Sequence, residues 1–290
     1  MTTVLRGETK DISSWEVFVE ELNKIQILRA QRKAECGRSG DELLFRGQGD
    51  SRWLLETTLE RTLRRMGKVD CSLEQYYRWI HSAHAQIETF SDRDWEIPDC
   101  TQYGNFLKEA VRNDLLLFAK FPGYDYMVYL RHHGFPSPLL DWTRSPQVAA
   151  YFAFREADVK KTEKVSLYVL WESTGKGKSW TSAQPYIWSL GPYVRSHRRH
   201  FLQQCEYTIC VEERRKTSER VEEWYYMPHE SVFKDNTEEQ DLLWKFSIPS
   251  SERLKVLKIL DNLNVNALSL FGSEESLMET MAMREIEFRG

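Results

Sequence analysis

Cysteine is scarce in this chain: five among 290 residues, Cys36, Cys71, Cys100, Cys205 and Cys210. The number is odd and no pair has CxxC spacing, which argues against a disulfide framework and against a structural zinc site. No apolar run approaches the roughly 20 residues that a membrane helix needs. The start, Met1-Thr2-Thr3-Val4-Leu5-Arg6, lacks the apolar centre of a secretion signal. The expectation is a cytoplasmic protein with no membrane partner. A dominant charge is missing too. With a formal net charge of −4, nothing global draws the chain to nucleic acid, although a local basic patch can. A P-loop, a nucleophile elbow, an HExxH helix and a GxGxxG turn after a strand are all absent.

What is present suffices for a core. Apolar residues make up 41% and aromatics 13%, with 10 Trp, and this composition excludes intrinsic disorder. Residues 12–35 predict an amphipathic helix capped by Ser13 or Ser14, with Trp15, Phe18, Leu22 and Ile25 at helical spacing. Leu43 to Gly47 reads as a short buried strand with a charge at its tip, and Trp53-Leu54-Leu55 precedes a basic segment, Arg61–Arg65. Helices are predicted over 73–91 and 105–120, strands over 165–171, 206–211 and 244–248, and helices after Ser250 and near 274–283. Residues 173–194 read as a surface excursion, 195–203 as a short basic helix, and 212–223 as a solvated connection. Helices first, then short strands with interspersed helices, predict an α+β fold with a mixed sheet.

The densest chemistry runs from His132 to Phe154. Gly134, Pro136 and Pro138 bend the backbone, and Leu139-Leu140 predicts a buried strand with Asp141, Trp142 and Thr143 at its end. Ser145 stands where an N-cap belongs, with Pro146 at the first helical position. Such a strand end followed by a capped helix offers N–H groups and a hydroxyl to a polar or anionic ligand. Arg46 suits phosphate or carboxylate through its forked guanidinium; a solvated strand end, or pairing to a structural acid such as Asp141, is the plain alternative. His132-His133 and His81/His84 lack a third ligand, so no metal is expected. Gln204 and Glu206, two apart at the start of a strand, are expected on one face, where a carboxylate can stabilise positive charge on a sugar. Arg195, Arg198 and Arg199, with His197 and His200, form the most basic stretch, a solvated face or a phosphate contact.

Leu43-Leu44-Phe45-Arg46-Gly47-Gln48-Gly49-Asp50 and the His132–Ala153 stretch together resemble the FRG-domain family, named for its Phe-Arg-Gly motif. The resemblance runs from about residue 40 to 272 and includes the Gln204 region and Ser269-Leu270-Phe271; Arg131 stands where the family pattern has Gln. It implies domains at 1–39 (a helical segment), 40–272 (the FRG domain, with a helical insertion around 73–120) and 273–290 (a helix and tail). The family in turn resembles ADP-ribosyltransferases, which implies a split, mixed or antiparallel β core gripping NAD as substrate. On that resemblance Arg46, Gly47, His132, Asp141, Thr143 and Ser145 would bind NAD, with Gln204 and Glu206 as the catalytic pair. It also implies a bacterial toxin or phage-defence effector, an acceptor nucleic acid or protein, and an antitoxin or regulatory partner. A non-catalytic nucleotide- or protein-binding module that keeps the cleft is the alternative.

Overall fold

The computed structural model describes residues 9–36, 42–112, 121–174, 184–192, 194, 198–216, 221–235 and 240–289. Strands are β1 (Thr9–Asp11), β2 (Leu43–Gln48), β3 (Leu140–Thr143), β4 (Lys164–Trp171), β5 (Tyr186–Ser189), β6 (Cys205–Lys216), β7 (Val221–Tyr226) and β8 (Leu242–Pro249). Helices are α1 (Trp15–Cys36), α2 (Thr58–Arg65), α3 (Leu73–Ser91), α4 (Cys100–Arg112), α5 (Tyr124–His132), α6 (Pro146–Arg155), α7 (Arg198–Leu202), α8 (Ser231–Asp235), α9 (Arg253–Asn262), α10 (Ala267–Phe271) and α11 (Glu274–Ala282). The fold is α+β around one eight-stranded mixed sheet of order β1-β8-β4-β2-β3-β6-β5, with β7 also on β6. Only β1–β8 is parallel among these pairs. No helix of the described residues is long and apolar enough to cross a membrane.

Because side chains alternate across a strand, register partners share a face. Phe45 lies opposite both Val169 and Thr143, and Thr143 opposite Cys205, so these four define one face. That face carries two separate cores. Over β8, β4 and β2, Leu43, Phe45, Val169 and Phe246 pack against Phe18 of α1, Phe154 of α6 and Leu257 of α9. Over β6, Cys205, Tyr207 and Ile209 pack against Tyr76 of α3, Tyr103 of α4 and Met127 of α5. The opposite face, with Leu44, Leu140, Trp142 and Leu170, is covered by Leu55, Val232 and Phe233. Between the first two cores, at β2 and β3, the sheet is left uncovered enough for a cavity.

Several elements depart from the sequence expectations. Asp141, Trp142 and Thr143 lie within β3 rather than beyond it, because pairing with β6 extends the strand through them. The helix expected over 105–120 occupies Cys100–Arg112, and residues 113–120 lie outside the described ones. The excursion expected over 173–194 contains the buried strand β5, while 175–183 and 193 lie outside the described residues. Of residues 212–223, expected as a solvated connection, 212–216 belong to β6 and 221–223 to β7, which pair antiparallel, and 217–220 lie outside the described residues. Cross-strand register there sets Arg214 opposite Glu223, while the Arg214 guanidinium ion-pairs with Glu212 on its own strand and with Asp70 from before α3. Of the basic stretch, Arg198–Leu202 is helical and 195–197 lie outside the described residues. Ser250 does not cap a helix; its hydroxyl donates to the Thr162 carbonyl at 2.5 Å, and a single 3₁₀ turn leads into α9.

Candidate functional site

Among the described residues β2 and β3 share a single register pair, Phe45 with Thr143, before they part. Arg46 fills the opening. Its Nη1 donates to the Asp141 backbone carbonyl at 2.7 Å and ion-pairs with the Asp141 carboxylate at 2.9 Å. A carbonyl that a continuing ladder would have paired is thus satisfied by a side chain. From α5, Arg131 Nη2 donates to the same carboxylate at 2.7 Å. Burial would raise the Asp141 carboxyl, but the Arg131 and Arg46 guanidiniums outweigh it and hold the acid far below the usual carboxylate range. Arg46 Nε and Arg131 Nε are buried without a hydrogen-bond partner.

Helix α6 closes one wall. Ser145 caps it as expected, its Oγ accepting from the Val148 N–H at 3.3 Å, with Pro146 in the first turn. The helix lies directly on β2 because Gly47 has no side chain: a Cβ there would stand 1.9 Å from the Ala149 carbonyl oxygen. Ala149, Phe152 and then Glu156, spaced three and four apart on one helix face, therefore border the opening. The loop after β2 brings Trp53. Helix α2, whose Thr57–Glu60 capping box fixes its start, brings Arg61. Gln203, Cys205 and Tyr207 complete the wall opposite α6.

The resulting cavity has a volume of about 310 Å³. Its lining holds three guanidiniums, Arg46, Arg61 and Arg131, against the carboxylates of Asp141 and Glu156. Arg61 has no hydrogen-bond or ion-pair partner for its guanidinium among the described residues. Its pKa is lowered, first by burial and then by Arg46 and Arg131, the mark of like charges crowded together. Trp53, 49% exposed, offers an aromatic face at the rim. Positive charge plus an exposed indole suits an anionic ligand that carries a flat ring.

The structure brings Arg46, Gly47, His132, Asp141 and Thr143 of the expected binding residues to this one cavity. The pairing to Asp141 named as the plain alternative for Arg46 is present as well. His132 Nε2 lies 2.8 Å from the Tyr207 hydroxyl. Thr143 Oγ1 donates to the Gln203 carbonyl at 2.7 Å and accepts from the Ser145 N–H at 3.1 Å, so its hydroxyl is already engaged.

Ser145, Gln204 and Glu206 are not part of the lining. Gln204 does not share a strand face with Glu206: it precedes β6 in a left-handed conformation, φ 49°, which breaks the alternation. Glu206 is opposite Trp142 in register, on the other face of β6 from the lining residues Cys205 and Tyr207, and is itself absent from the lining. It is 6% exposed and ion-paired to Arg144. Burial pushes its carboxyl above the ordinary value, against the lowering effect of Arg144.

Residues 41–162 match the FRG domain family. The FRG-matched segment contains β2, α2 to α6 and every guanidinium of the cavity, and it ends before β4; the Gln203–Tyr207 wall lies beyond it. No curated protein and no solved structure matches the chain. Arg61, Trp53 and Glu156 had no role on sequence grounds. Arg61 is one residue of the basic segment Arg61–Arg65, and Glu156 continues the helical spacing of Ala149 and Phe152. That spacing was the available signal.

Proposed function

We propose that the FRG-type cavity binds the diphosphate of a nucleotide, with NAD as the ligand that the family resemblance names. The carrying observation is Arg61: an unpartnered guanidinium beside Arg46 and Arg131, on a cavity where Asp141 alone is ion-paired to two of the three. Phosphate oxygens would occupy the donors of Arg61, and Trp53 would stack on a base. The volume lies at the lower end of the roughly 300–1,000 Å³ typical of small-molecule sites, which suits part of a dinucleotide, with the remainder against Trp53.

ADP-ribosyl transfer to a protein or nucleic-acid acceptor, on an ADP-ribosyltransferase-like split sheet, is the second reading. The observation that favours it is the parting of β2 from β3 around an arginine. Against a catalytic role for Glu206 stand its absence from the cavity lining and its ion pair with Arg144. Binding without turnover is therefore the better supported of the two. Calorimetric titration with NAD and ADP-ribose, alongside a nicotinamide-release assay, separates them. Saturable binding with no release supports the binding module, and release that survives Glu206→Ala moves the chemistry to another group. No heat and no release would remove both.

A further inference from the structure

Asp141 is neutralised by two guanidiniums and Glu206 is absent from the lining, so one carboxylate on the cavity is left unengaged. It is Glu156, which forms no hydrogen bond or ion pair through its side chain among the described residues. Its placement is locally unfavourable. It is the C-cap residue of α6, where the negative end of the helix dipole opposes a carboxylate. It is also held tightly: a Cβ on Gly49 would lie 2.8 Å from Glu156 Cβ and 3.0 Å from its carbonyl carbon. The two glycines of Gly47-Gln48-Gly49 thus fix both the helix and the acid beyond it. Glu156 as a whole is exposed to solvent, and partial desolvation beside the cavity raises its carboxyl above the ordinary value.

We propose that Glu156 accepts hydrogen bonds from the vicinal hydroxyls of a ribose, making the cavity selective for ribonucleotide diphosphates over their deoxy counterparts. The alternative partner for a free carboxylate is a cation. Three guanidiniums on the same lining repel one, whereas a neutral diol is not repelled and supplies two donors to one carboxylate. The diphosphate would then lie toward Arg61 and the sugar toward α6. This assignment rests on the nucleotide reading given above.

The test is calorimetric titration of the full chain with ADP-ribose and with its analogue lacking a hydroxyl on the adenosine ribose, repeated with the analogue lacking one on the terminal ribose. The wild type is expected to bind ADP-ribose about ten-fold or more tightly than at least one deoxy analogue, the scale of one hydrogen bond to a charged group. Glu156→Ala is expected to weaken ADP-ribose and leave the analogue unchanged, so that the preference disappears. Glu156→Gln, which keeps one acceptor, is expected to fall between. A wild type without any preference, or a Glu156→Ala protein that retains it, overturns the proposal while nucleotide binding stands. A wild type that binds none of the three ligands overturns the nucleotide reading and this assignment with it.

Discussion

On its β4 side, strand β2 pairs all of Leu43 to Gln48 in register; on its β3 side it pairs Phe45 alone. The closed seam is lined by Leu44, Leu170, Phe45 and Val169, and its backbone groups satisfy one another. The open seam is lined by Arg46, Asp141 and Thr143, and side chains do what the ladder does elsewhere. A sheet can leave strands unpaired only where other groups satisfy the exposed carbonyls and N–H groups. Here Arg46, which does so for the Asp141 carbonyl, is charged, and it lines a hollow. The difference between the seams is the difference between a core and a site.

The closed side breaks most severely at Gly47. Gly47→Val places carbon against the α6 backbone, which cannot rotate away, and is expected to lower unfolding free energy by about 3 kcal/mol or more in urea titrations. A smaller effect separates the seams by pH. Below the open seam, Thr208 Oγ1 joins Trp142 Nε1 and His229 Nε2, each at 2.8 Å. Burial, with Arg46 nearby, pushes the His229 imidazole from 6.5 down to about 3. The unfolded chain takes up a proton that the folded one refuses, so stability is complete above pH 6.5 and falls as pH drops toward about 3. By pH 5 the loss amounts to about 2 kcal/mol, at 1.36 kcal/mol per unit. Urea melts at stepped pH are expected to show this slope in the wild type and its absence in His229→Gln.

Asp141→Asn is expected to cost about 1.5 kcal/mol at pH 7. That is less than a fully buried pair, because the Asp141 side chain is 41% exposed and its pairs are screened. Its carboxyl is held far below the ordinary value. The contribution is therefore intact above about pH 4 and lost only below it, and the Asn variant is expected to flatten that lower limb alone. Arg61→Ala touches neither seam. Its stability is expected to stay within about 0.5 kcal/mol of wild type, while affinity for inorganic pyrophosphate, read by calorimetry, falls about ten-fold. A large stability loss at Arg61 would place it in the scaffold instead.

Much of the local structure was legible in advance. The Ser145-Pro146 start of α6, the helical spacing of Trp15, Phe18, Leu22 and Ile25, and the alternation of Val165 to Trp171 are short-range signals. Neighbouring residues alone set capping, periodicity and turn chemistry. The pairing of β6 with β7 was illegible because backbone register between two strands, not spacing along the chain, forms it.

The candidate site divides in the same way. Residue types singled out Arg46, Asp141 and Thr143, and the FRG-like motifs grouped them. Which face each side chain takes was decided by register, and a one-residue difference puts Glu206 on the other face of β6 from the lining residues Cys205 and Tyr207. The meeting of Arg61, Arg131 and Glu156 on one hollow belongs to the tertiary structure alone. Their separation along the chain carries no information about distance until β2, α2, α5 and α6 are packed. Gly47 is what lets α6 pack that closely.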